Sequence, residues 1–301
     1  MKIPYYPGCT LSTVASDFDR SARQSIRDLG VELEELPKWN CCGASFPLTP
    51  ENVIGLAGPG NVLIQAMKAG WTVSTLCSFC YNTLRRTNNA LKSDAGRRDV
   101  LASFLETDGL GDVKVLHLLE VLRDQVGFAG LKAKVARPLK GLKVAAYYGC
   151  MLLRPADAAI DHPESPKIFE DFLSALGATP VDWPNRGECC GSHLAMSETD
   201  LVRRLSGSIL SSAQSCGADL LTTSCPLCWH NLVRSQEAIL RDEGKETVLP
   251  VIYFTQILGL ALGGDPETLG IANGVMGAEA VLKAKGLWPA AAAAANSGRS
   301  A

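Results

Sequence analysis

Residues 75–84 read TLCSFCYNTL, and residues 223–232 read TSCPLCWHNL. Each copy places a C-x-x-C pair directly after a short run rich in β-branched and apolar residues, and each continues into a helical pattern. A unit of strand, thiol pair and helix therefore occurs twice in a chain of 301 residues. This repetition predicts a duplicated α/β architecture, because strands that alternate with helices favour parallel sheets.

Two further short sequence motifs are repeated upstream of each C-x-x-C pair. YYPGCT at 5–10 corresponds to YYGCML at 147–152, and NCCGAS at 40–45 corresponds to ECCGSH at 188–193. Ten of the eleven cysteines thus form two sets of five, which we call the quintets: Cys9, Cys41, Cys42, Cys77, Cys80 and Cys150, Cys189, Cys190, Cys225, Cys228. These repeats indicate two equivalent thiol sites.

The spacing within the quintets supports an internal duplication. Thirty-five positions separate Cys42 from Cys77, and the same number separates Cys190 from Cys225. The first gap differs, because Cys41 follows Cys9 by 32 positions whereas Cys189 follows Cys150 by 39 positions. The difference predicts a surface insertion in the second half.

Composition limits what the thiols can do. With 47% hydrophobic residues in 301, the chain can build two cores without disulfides. The start, MKIPYYPGC, lacks an apolar signal segment, and no stretch reaches the roughly 20 apolar residues of a membrane span. We therefore expect a cytoplasmic protein, in which an ordered cysteine set is typical of a metal or catalytic site. The net charge of −2, without a basic stripe, predicts no nucleic-acid binding.

The first half alternates predicted strands and helices. Strands are expected at 2–6, 31–36 and 72–76. Helices are expected to end at Gly30 and near Gly70, to begin around Cys77, and to occupy HLLEVLRDQV at 117–126.

The second half repeats this order. Strands are expected at 143–148 and 219–223, with Asp182 near the end of another, and Gly177 should end the first helix. Ser197 followed by Asp200 predicts an N-terminal cap for the helix that runs toward Cys216.

This outline divides the chain into parts. We predict an N-terminal domain at 1–130, a C-terminal domain at 141–262 and an extension at 263–301, with the boundary between Gly127 and Gly141. The tail AAAAAANSGRSA at 290–301 has nothing to bury and is expected to be disordered or a frayed helix.

The predicted strands put the thiols at one kind of place. Cys9, Cys77, Cys150 and Cys225 each follow a strand, at the carboxyl edge where parallel sheets build their sites. A helix start at each C-x-x-C pair would favour the thiolate form. Structural zinc takes four ligands, so five thiols favour an iron–sulfur cluster of unusual ligation, although zinc stays open as an alternative. The C-x2-C-x2-C-x3-C motif by which bacterial ferredoxins bind cubane clusters is absent from the sequence.

These residues resemble the cysteine-rich CCG-domain family, most closely the B subunit of heterodisulfide reductase and its relatives. The resemblance spans both repeats, from residue 1 to about 262. It implies two pseudo-symmetric CCG domains, with parallel sheets flanked by helices. It also implies that each quintet binds a noncubane 4Fe-4S cluster, with zinc in one site in some relatives, and that the two clusters face each other across the pseudo-twofold axis.

The resemblance further implies that a sulfur–sulfur bond is made or cleaved between the clusters. Two like iron sites suit this reaction, because each can bind one of the two sulfurs as the bond breaks. The chain has no cubane motif and no G-x-G-x-x-G for a flavin. The resemblance therefore points to a ferredoxin-like C subunit with cubane 4Fe-4S clusters and a flavin-containing A subunit as partners, with a disulfide or lipoyl-bound sulfur as substrate.

Other residues have two interpretations each. His193 and His230, near the second quintet, could donate a proton to a leaving thiolate, or they could be surface histidines. Arg154, Arg186 and Lys38 could hold an anionic substrate tail or be solvated charges. Cys216 is expected to be a small buried hydrophobe. The tyrosines at 5, 6, 147 and 148 are expected in the strand core.

Three function classes remain open. The first is a catalytic subunit of a heterodisulfide reductase-like complex acting on a heterodisulfide or on lipoyl- or persulfide-bound sulfur, as in sulfur oxidisers. The second is an electron-transfer subunit without substrate chemistry. The third is a structural zinc protein. Two intact quintets favour the first class.

Overall fold

Two four-stranded parallel sheets form the framework of the computed structural model, which describes residues 1–44, 53–243, 248–272 and 275–288. The first sheet has the strand order β2-β1-β3-β4, and the second repeats it as β6-β5-β7-β8. The predicted α/β class with two pseudo-symmetric halves is therefore confirmed. The tail at 290–301, which the sequence predicts to be disordered, lies outside the described residues.

The strands of the first sheet are short and mostly buried. They span Lys2–Tyr5 (β1), Glu32–Glu35 (β2), Thr72–Thr75 (β3) and Lys114–His117 (β4). The first three agree with the sequence prediction to within one residue at each end. The sequence prediction misses the fourth, because its last residue begins the expected helical run at 117–126.

The second sheet copies the first. Its strands span Lys143–Tyr147 (β5), Thr179–Val181 (β6), Leu220–Thr223 (β7) and Val251–Tyr253 (β8). The sequence prediction also misses strand β8, the counterpart of β4. In both sheets the chain moves from the first strand to one side and then crosses to the other. The carboxyl ends of β1 and β3, and of β5 and β7, therefore flank a topological switch point.

The helices lie on the faces of the sheets. In the first half they span Gly8–Leu11 (α1), Ser16–Asp28 (α2), Ala57–Lys68 (α3), Ser78–Ser93 (α4), Ala95–Phe104 (α5), Leu118–Val121 (α6) and Phe128–Lys134 (α7). The predicted helix at 117–126 needs correction: His117 ends a strand, and 122–126 is a π-helical turn. Helix α7 lies within the predicted boundary between Gly127 and Gly141.

Five helices follow in the rest of the described chain. They span Ile168–Ala175 (α8), Thr199–Ser215 (α9), Pro226–Glu243 (α10), Phe254–Ala261 (α11) and Ala278–Ala284 (α12). The predicted cap of α9 is wrong. Glu198 occupies the N-cap position, and no side chain there bonds the helix backbone. Helix α12, within the predicted C-terminal extension, buries Ala278 and Leu282.

Each half of the chain packs one helix against a helix of the other half. Helix α11 of the second half packs on α2 of the first, where the Ser21 and Thr255 hydroxyls lie 2.6 Å apart and the ring of Phe18 stacks on Tyr253. Reciprocally, α6 of the first half packs on α8, the second-half counterpart of α2. The apolar faces of these helices are therefore buried between the halves. No helix of the described residues is long and apolar enough to cross a membrane.

The predicted insertion forms a segment at 151–167 that reaches the other half. Asn82 of α4 donates to the backbone oxygens of Met151 and Arg154, both at 2.8 Å. Asn89, two turns further along α4, donates to the backbone oxygen and the carboxylate of Asp157 at 3.1 Å. This longer segment of the second repeat thus binds the C-x-x-C helix of the first.

Candidate metal centre

The quintets lie at the carboxyl ends of the parallel strands. In the first half, Cys9 lies in α1 after β1, and Cys77 is the N-cap of α4 after β3. Cys80 lies in the first turn of α4, so the predicted helix start at the C-x-x-C pair is confirmed. The second half repeats the arrangement, with Cys225 directly before α10 and Cys228 inside its first turn. Both quintets therefore occupy the topological switch point of their own sheet.

Sulfur atoms pair in the same way within both quintets. In the first, the Cys9 and Cys41 sulfurs lie 3.6 Å apart, as do those of Cys42 and Cys80. In the second, the corresponding distances are 3.7 Å between Cys150 and Cys189 and 3.4 Å between Cys190 and Cys228. All of these cysteines are free thiols, and the separations are far beyond a disulfide bond.

Glycines provide the space for this sulfur packing. A Cβ atom on Gly8, which has φ of +75°, would lie 2.9 Å from the Cys80 sulfur. A Cβ atom on Gly149, with φ of +62°, would lie 3.3 Å from the Cys228 sulfur. Each glycine directly precedes the first cysteine of its quintet, and only glycine combines that backbone conformation with so close an approach.

The donor set fits a polynuclear iron–sulfur group. Each half supplies five free thiols, the soft donor type that iron–sulfur clusters use. Among the described residues, no group of three or more His, Cys, Asp or Glu side chains has the arrangement for a single metal ion. The thiols would hold a cluster through all five sulfurs of a quintet or a subset of them.

Each quintet has an inner and an outer part. The inner sulfurs are buried in both halves, whereas the outer pair is exposed in the first half, at Cys9 and Cys41, and half-buried in the second, at Cys150 and Cys189. The outer pairs are thus the sides from which a small molecule could approach. The first site is the more open of the two.

Contacts among the thiols shift their pKa values in opposite directions. Interaction with Cys41 and Cys80 lowers the pKa of the Cys42 thiol to about 3, and interaction with Cys42 raises the pKa of Cys41 and of Cys80. In the second half, a bond from Cys150 lowers the pKa of Cys189 to about 6. Thiolates are therefore favoured in each quintet before any metal binds, and the thiolate is the form that ligates iron.

One tyrosine in each half links the strand to the Cys-Cys-Gly loop. The Tyr6 hydroxyl donates to the backbone oxygen of Asn40 at 2.9 Å, and the Tyr147 hydroxyl donates to that of Glu188 at 2.7 Å. Both acceptors directly precede the cysteine pair. The predicted burial of these tyrosines is confirmed, but sequence reasoning misses their role in fixing the loop, because a strand pattern does not reveal where a hydroxyl points.

The quintets meet where the two halves join. The buried Cys77 and Cys225 thiols affect each other: Cys225 lowers the pKa of Cys77, and Cys77 helps to raise the pKa of Cys225. Beside them, the hydroxyls of Ser78 and Ser224 lie 2.6 Å apart, and the Ser78 amide donates to the Ser224 carbonyl at 3.2 Å. All four side chains are buried. The two thiol sites thus adjoin each other where Ser78 and Ser224, the residues next to Cys77 and Cys225, are hydrogen-bonded.

The predicted histidines lie in different places. His193 is exposed in the turn after the second cysteine pair, and its charge helps to lower the pKa of Cys189. His230 is exposed in a groove that it lines with Asp200 and Arg234, between α9 and α10. Only His193 therefore acts electrostatically on a quintet, and the proton-donor role of both histidines stays a prediction.

The basic residues considered for an anionic substrate tail are largely engaged. Arg186 bonds the carboxylates of Glu170 at 3.4 Å and Asp182 at 3.0 Å, and Arg154 lies 3.6 Å from the carboxylate of Glu164. Lys38 is exposed. The arginines are thus neutralised by neighbours within the second half.

The interpretation of Cys216 as a buried hydrophobe is wrong. Cys216 is the exposed C-cap of α9, directly before the left-handed Gly217, and precedes β7. It therefore lies at the end of the sheet opposite the quintets. The sequence places Cys216 on a helix, but the helix ends one residue earlier, at Ser215. Helical periodicity does not predict the burial of a residue that caps a helix.

A scan against protein-family models matches the cysteine-rich domain, CCG, twice, at residues 3–85 and 144–233. The chain belongs to the CCG-domain family. The two matched segments contain both quintets, so the resemblance stated from the motifs is confirmed. Each matched segment supplies the first three strands of one sheet, one cysteine pair and the first turns of one C-x-x-C helix.

Curated relatives of this CCG protein align over nearly its whole length. It is 34% identical to the 8-methylmenaquinol:fumarate reductase membrane anchor subunit of Wolinella succinogenes, over 91% of this chain and 96% of that protein. It is 30% identical to the B subunit of the ferredoxin:CoB-CoM heterodisulfide reductase of Methanosarcina mazei, over 90% and 92%. A protein of Archaeoglobus profundus named as similar to the heterodisulfide reductase B subunit is also 30% identical, over 89% and 92%.

A solved structure shares the fold. The CCG protein superposes on a hypothetical protein from Helicobacter pylori with a TM-score of 0.71 and 11% sequence identity. The match covers 90% of this chain and 51% of that one. At this identity the match concerns the fold alone.

Proposed function

We propose that this CCG protein is the iron–sulfur subunit of a heterodisulfide reductase-like complex and that it makes or cleaves sulfur–sulfur bonds between its two quintets. The observation that supports this proposal most is the junction of the quintets, where the buried Cys77 and Cys225 thiols shift each other's pKa beside the hydrogen-bonded Ser78–Ser224 pair. Two adjoining soft-metal sites are suited to the two sulfurs of one disulfide. The relatives named after the B subunit of heterodisulfide reductase support this proposal.

Each quintet would hold one noncubane 4Fe-4S cluster. When bound, such clusters supply electrons one at a time and offer iron with an affinity for sulfur. The protein would hold the inner ligands rigidly, since Cys42 and Cys190 are buried and bonded to further thiols. The outer thiols, led by the exposed Cys9 and Cys41, would face the substrate.

His193 would supply a proton at the second site. Its charge acts on Cys189, an outer ligand, and its exposure allows exchange of the proton with solvent. A sulfur that leaves as a thiolate needs such a proton to become a thiol. His230, the second proposed proton donor, lines a separate groove between α9 and α10.

The protein would work with partner subunits in the cytoplasm. The sequence contains no motif for a cubane cluster or a flavin. Electrons would therefore pass through a ferredoxin-like C subunit with cubane clusters and a flavin-containing A subunit. The substrate would be a heterodisulfide or a lipoyl- or persulfide-bound sulfur.

Metal analysis of anaerobically purified protein tests the cofactor part. Two four-iron clusters require about eight iron ions and as much acid-labile sulfide per chain. A preparation with one or two zinc ions and little iron would instead make this a structural zinc protein. Thiol addition to the oxidised protein tests the chemistry, because a thiol should change the EPR spectrum only where iron is open to sulfur.

A second candidate function is electron transfer without sulfur chemistry. It is favoured by the 34% identity to a subunit of a menaquinol:fumarate reductase. The same EPR experiment separates the two functions. An iron-replete protein whose spectrum ignores thiols but changes with a menaquinol analogue would be an electron-transfer subunit.

A further inference from the structure

A groove beside the C-x-x-C helix of the first half lies apart from the quintets. It lies between α4, α5 and the inserted segment at 151–167, and its volume is about 560 Å³. We call it the α4 groove, and its polar lining consists of Arg86, Thr87, Asn89, Lys92, Ser93, Arg97 and Asp157. Cavities of roughly 300–1,000 Å³ are typical of small-molecule sites.

The lining carries an excess of positive charge. Three of its side chains are cationic, and Asp157 is its one carboxylate. Lys92 bonds Asp112 at 2.6 Å, and Arg97 lies 3.8 Å from Asp94. The half-buried Arg86, by contrast, has no ion pair or side-chain hydrogen bond with any residue in the described part of the chain.

The internal repeat explains why Arg86 is unpaired. Arg86 and Arg234 occupy the same position, six residues after the last cysteine of their quintets. Arg234 lines the equivalent groove of the second half and bonds Glu237 at 3.0 Å. The position of Glu237 is occupied in the first half by Asn89, which is neutral and donates to Asp157 instead. Arg234 therefore has an anionic partner on its own helix, whereas Arg86 has none among the described residues.

A buried hydroxyl points to the same ligand chemistry. Thr87 lines the α4 groove and is only 1% exposed, yet its Oγ1 has no hydrogen-bond partner among the described residues. A buried hydroxyl without a hydrogen-bond partner is costly. In the proposed site, an anionic oxygen in the groove would accept a hydrogen bond from this hydroxyl.

We propose that the α4 groove binds a small anion with a phosphate or carboxylate group, which accepts hydrogen bonds from the Arg86 guanidinium and the Thr87 hydroxyl. Thr87 lies seven residues beyond Cys80, which is roughly 10 Å along the helix. The groove is thus a separate site, and its occupancy does not require metal in the quintets.

Isothermal titration of the full chain with inorganic phosphate and, separately, with acetate at constant ionic strength tests this proposal. We expect saturable binding of at least one anion, and the two titrations identify the preferred head group. Arg86→Met should weaken that binding about tenfold or more, the loss expected for a charge-assisted hydrogen bond. Arg234→Met, the matched change in the second repeat, should leave it unaltered.

Two further variants separate binding from folding. Asn89→Glu would install the carboxylate that neutralises the second groove, and it should abolish anion binding. Thr87→Val should weaken binding without lowering the thermal midpoint of the free chain, because its hydroxyl has no partner to lose. The absence of saturable binding to wild-type protein, or equal losses in Arg86→Met and Arg234→Met, would overturn the proposal.

Discussion

At the residue scale, pairs of equivalent side chains carry most of the site. The sequence was sufficient to predict that the cysteines group into two sets with the same sulfur contacts, because the motifs and their spacings are kept in both repeats, and the role of the cysteines as ligands stays a prediction. It could not predict that Tyr6 and Tyr147 fix the cysteine loops, since a one-residue offset changes which tyrosine of each YY pair points there. It also could not predict the exposure of Cys216, which depends on where a helix ends.

Loss of one ligand should empty one site only. Cys41→Ala or Cys189→Ala removes a thiol from one quintet, so we expect about four iron ions per chain instead of about eight. The other half should stay folded and keep its cluster. Cys216→Ala is the control and should retain full iron content. Loss of all iron in Cys41→Ala would show that the two sites assemble interdependently.

His117 should make stability depend on pH. It is fully buried, its Nε2 donates to the Leu76 carbonyl at 2.8 Å, and its Nδ1 accepts from the Leu119 amide. Burial lowers its pKa from 6.5 to about 3. As the pH falls below about 6.5, His117 therefore takes up a proton in the unfolded chain but not in the folded one. The free energy of unfolding then decreases by about 1.4 kcal/mol per pH unit until the pH approaches the folded-state pKa.

Urea unfolding between pH 7 and pH 4 measures this effect. Because glutamine does not titrate, the slope of unfolding free energy against pH should be smaller in His117→Gln than in the wild type. His162→Gln, at an exposed position, should keep the wild-type slope. Identical slopes in all three proteins would contradict the assignment.

At the element scale, the sequence predicted the elements that carry motifs and missed those that do not. Strands β1, β3, β5 and β7 precede cysteines and were expected. Strands β4 and β8 precede no cysteine, and each runs directly into a helix through a residue that both ends the strand and caps the helix, His117 and Tyr253. Periodicity cannot separate two elements that share a residue.

The junction between β3–α4 and β7–α10 should show energetic coupling. Ser78→Ala leaves the buried Ser224 hydroxyl unpaired, and Ser224→Ala does the reverse, so each should cost about 1–3 kcal/mol of unfolding free energy. The double variant should cost clearly less than the sum of the two. Ser93→Ala, at the exposed end of α4, serves as the control. Additive losses would mean that the hydroxyls do not act as a pair.

At the scale of the whole molecule, the two repeats depend on each other. Helix α11 covers α2, and the ring of Phe18 lies against both Tyr253 and Phe254. The sequence predicted two domains with a boundary, but not this packing, because a helix face shows that it is buried without showing what covers it.

Separated halves should therefore fail to fold alone. A fragment of residues 1–134 would expose the apolar face of α2, so we expect it to bind a hydrophobic dye and to unfold without a cooperative transition. Mixing it with a fragment of residues 135–301 should restore cooperative unfolding. A sharp urea transition of fragment 1–134 by itself would contradict this expectation.

The inserted segment at 151–167 has a consequence for ancestry. A homodimer of a single-repeat ancestor would have had two identical contacts across its axis, but here only the second copy carries the segment that grips the helix of the first through Asn82 and Asn89. With this one-sided contact the two copies are not interchangeable. Because both copies lie in one chain, the two thiol pockets can differ, the first with an exposed outer pair and the second with a half-buried one, while they adjoin each other at the junction of the halves.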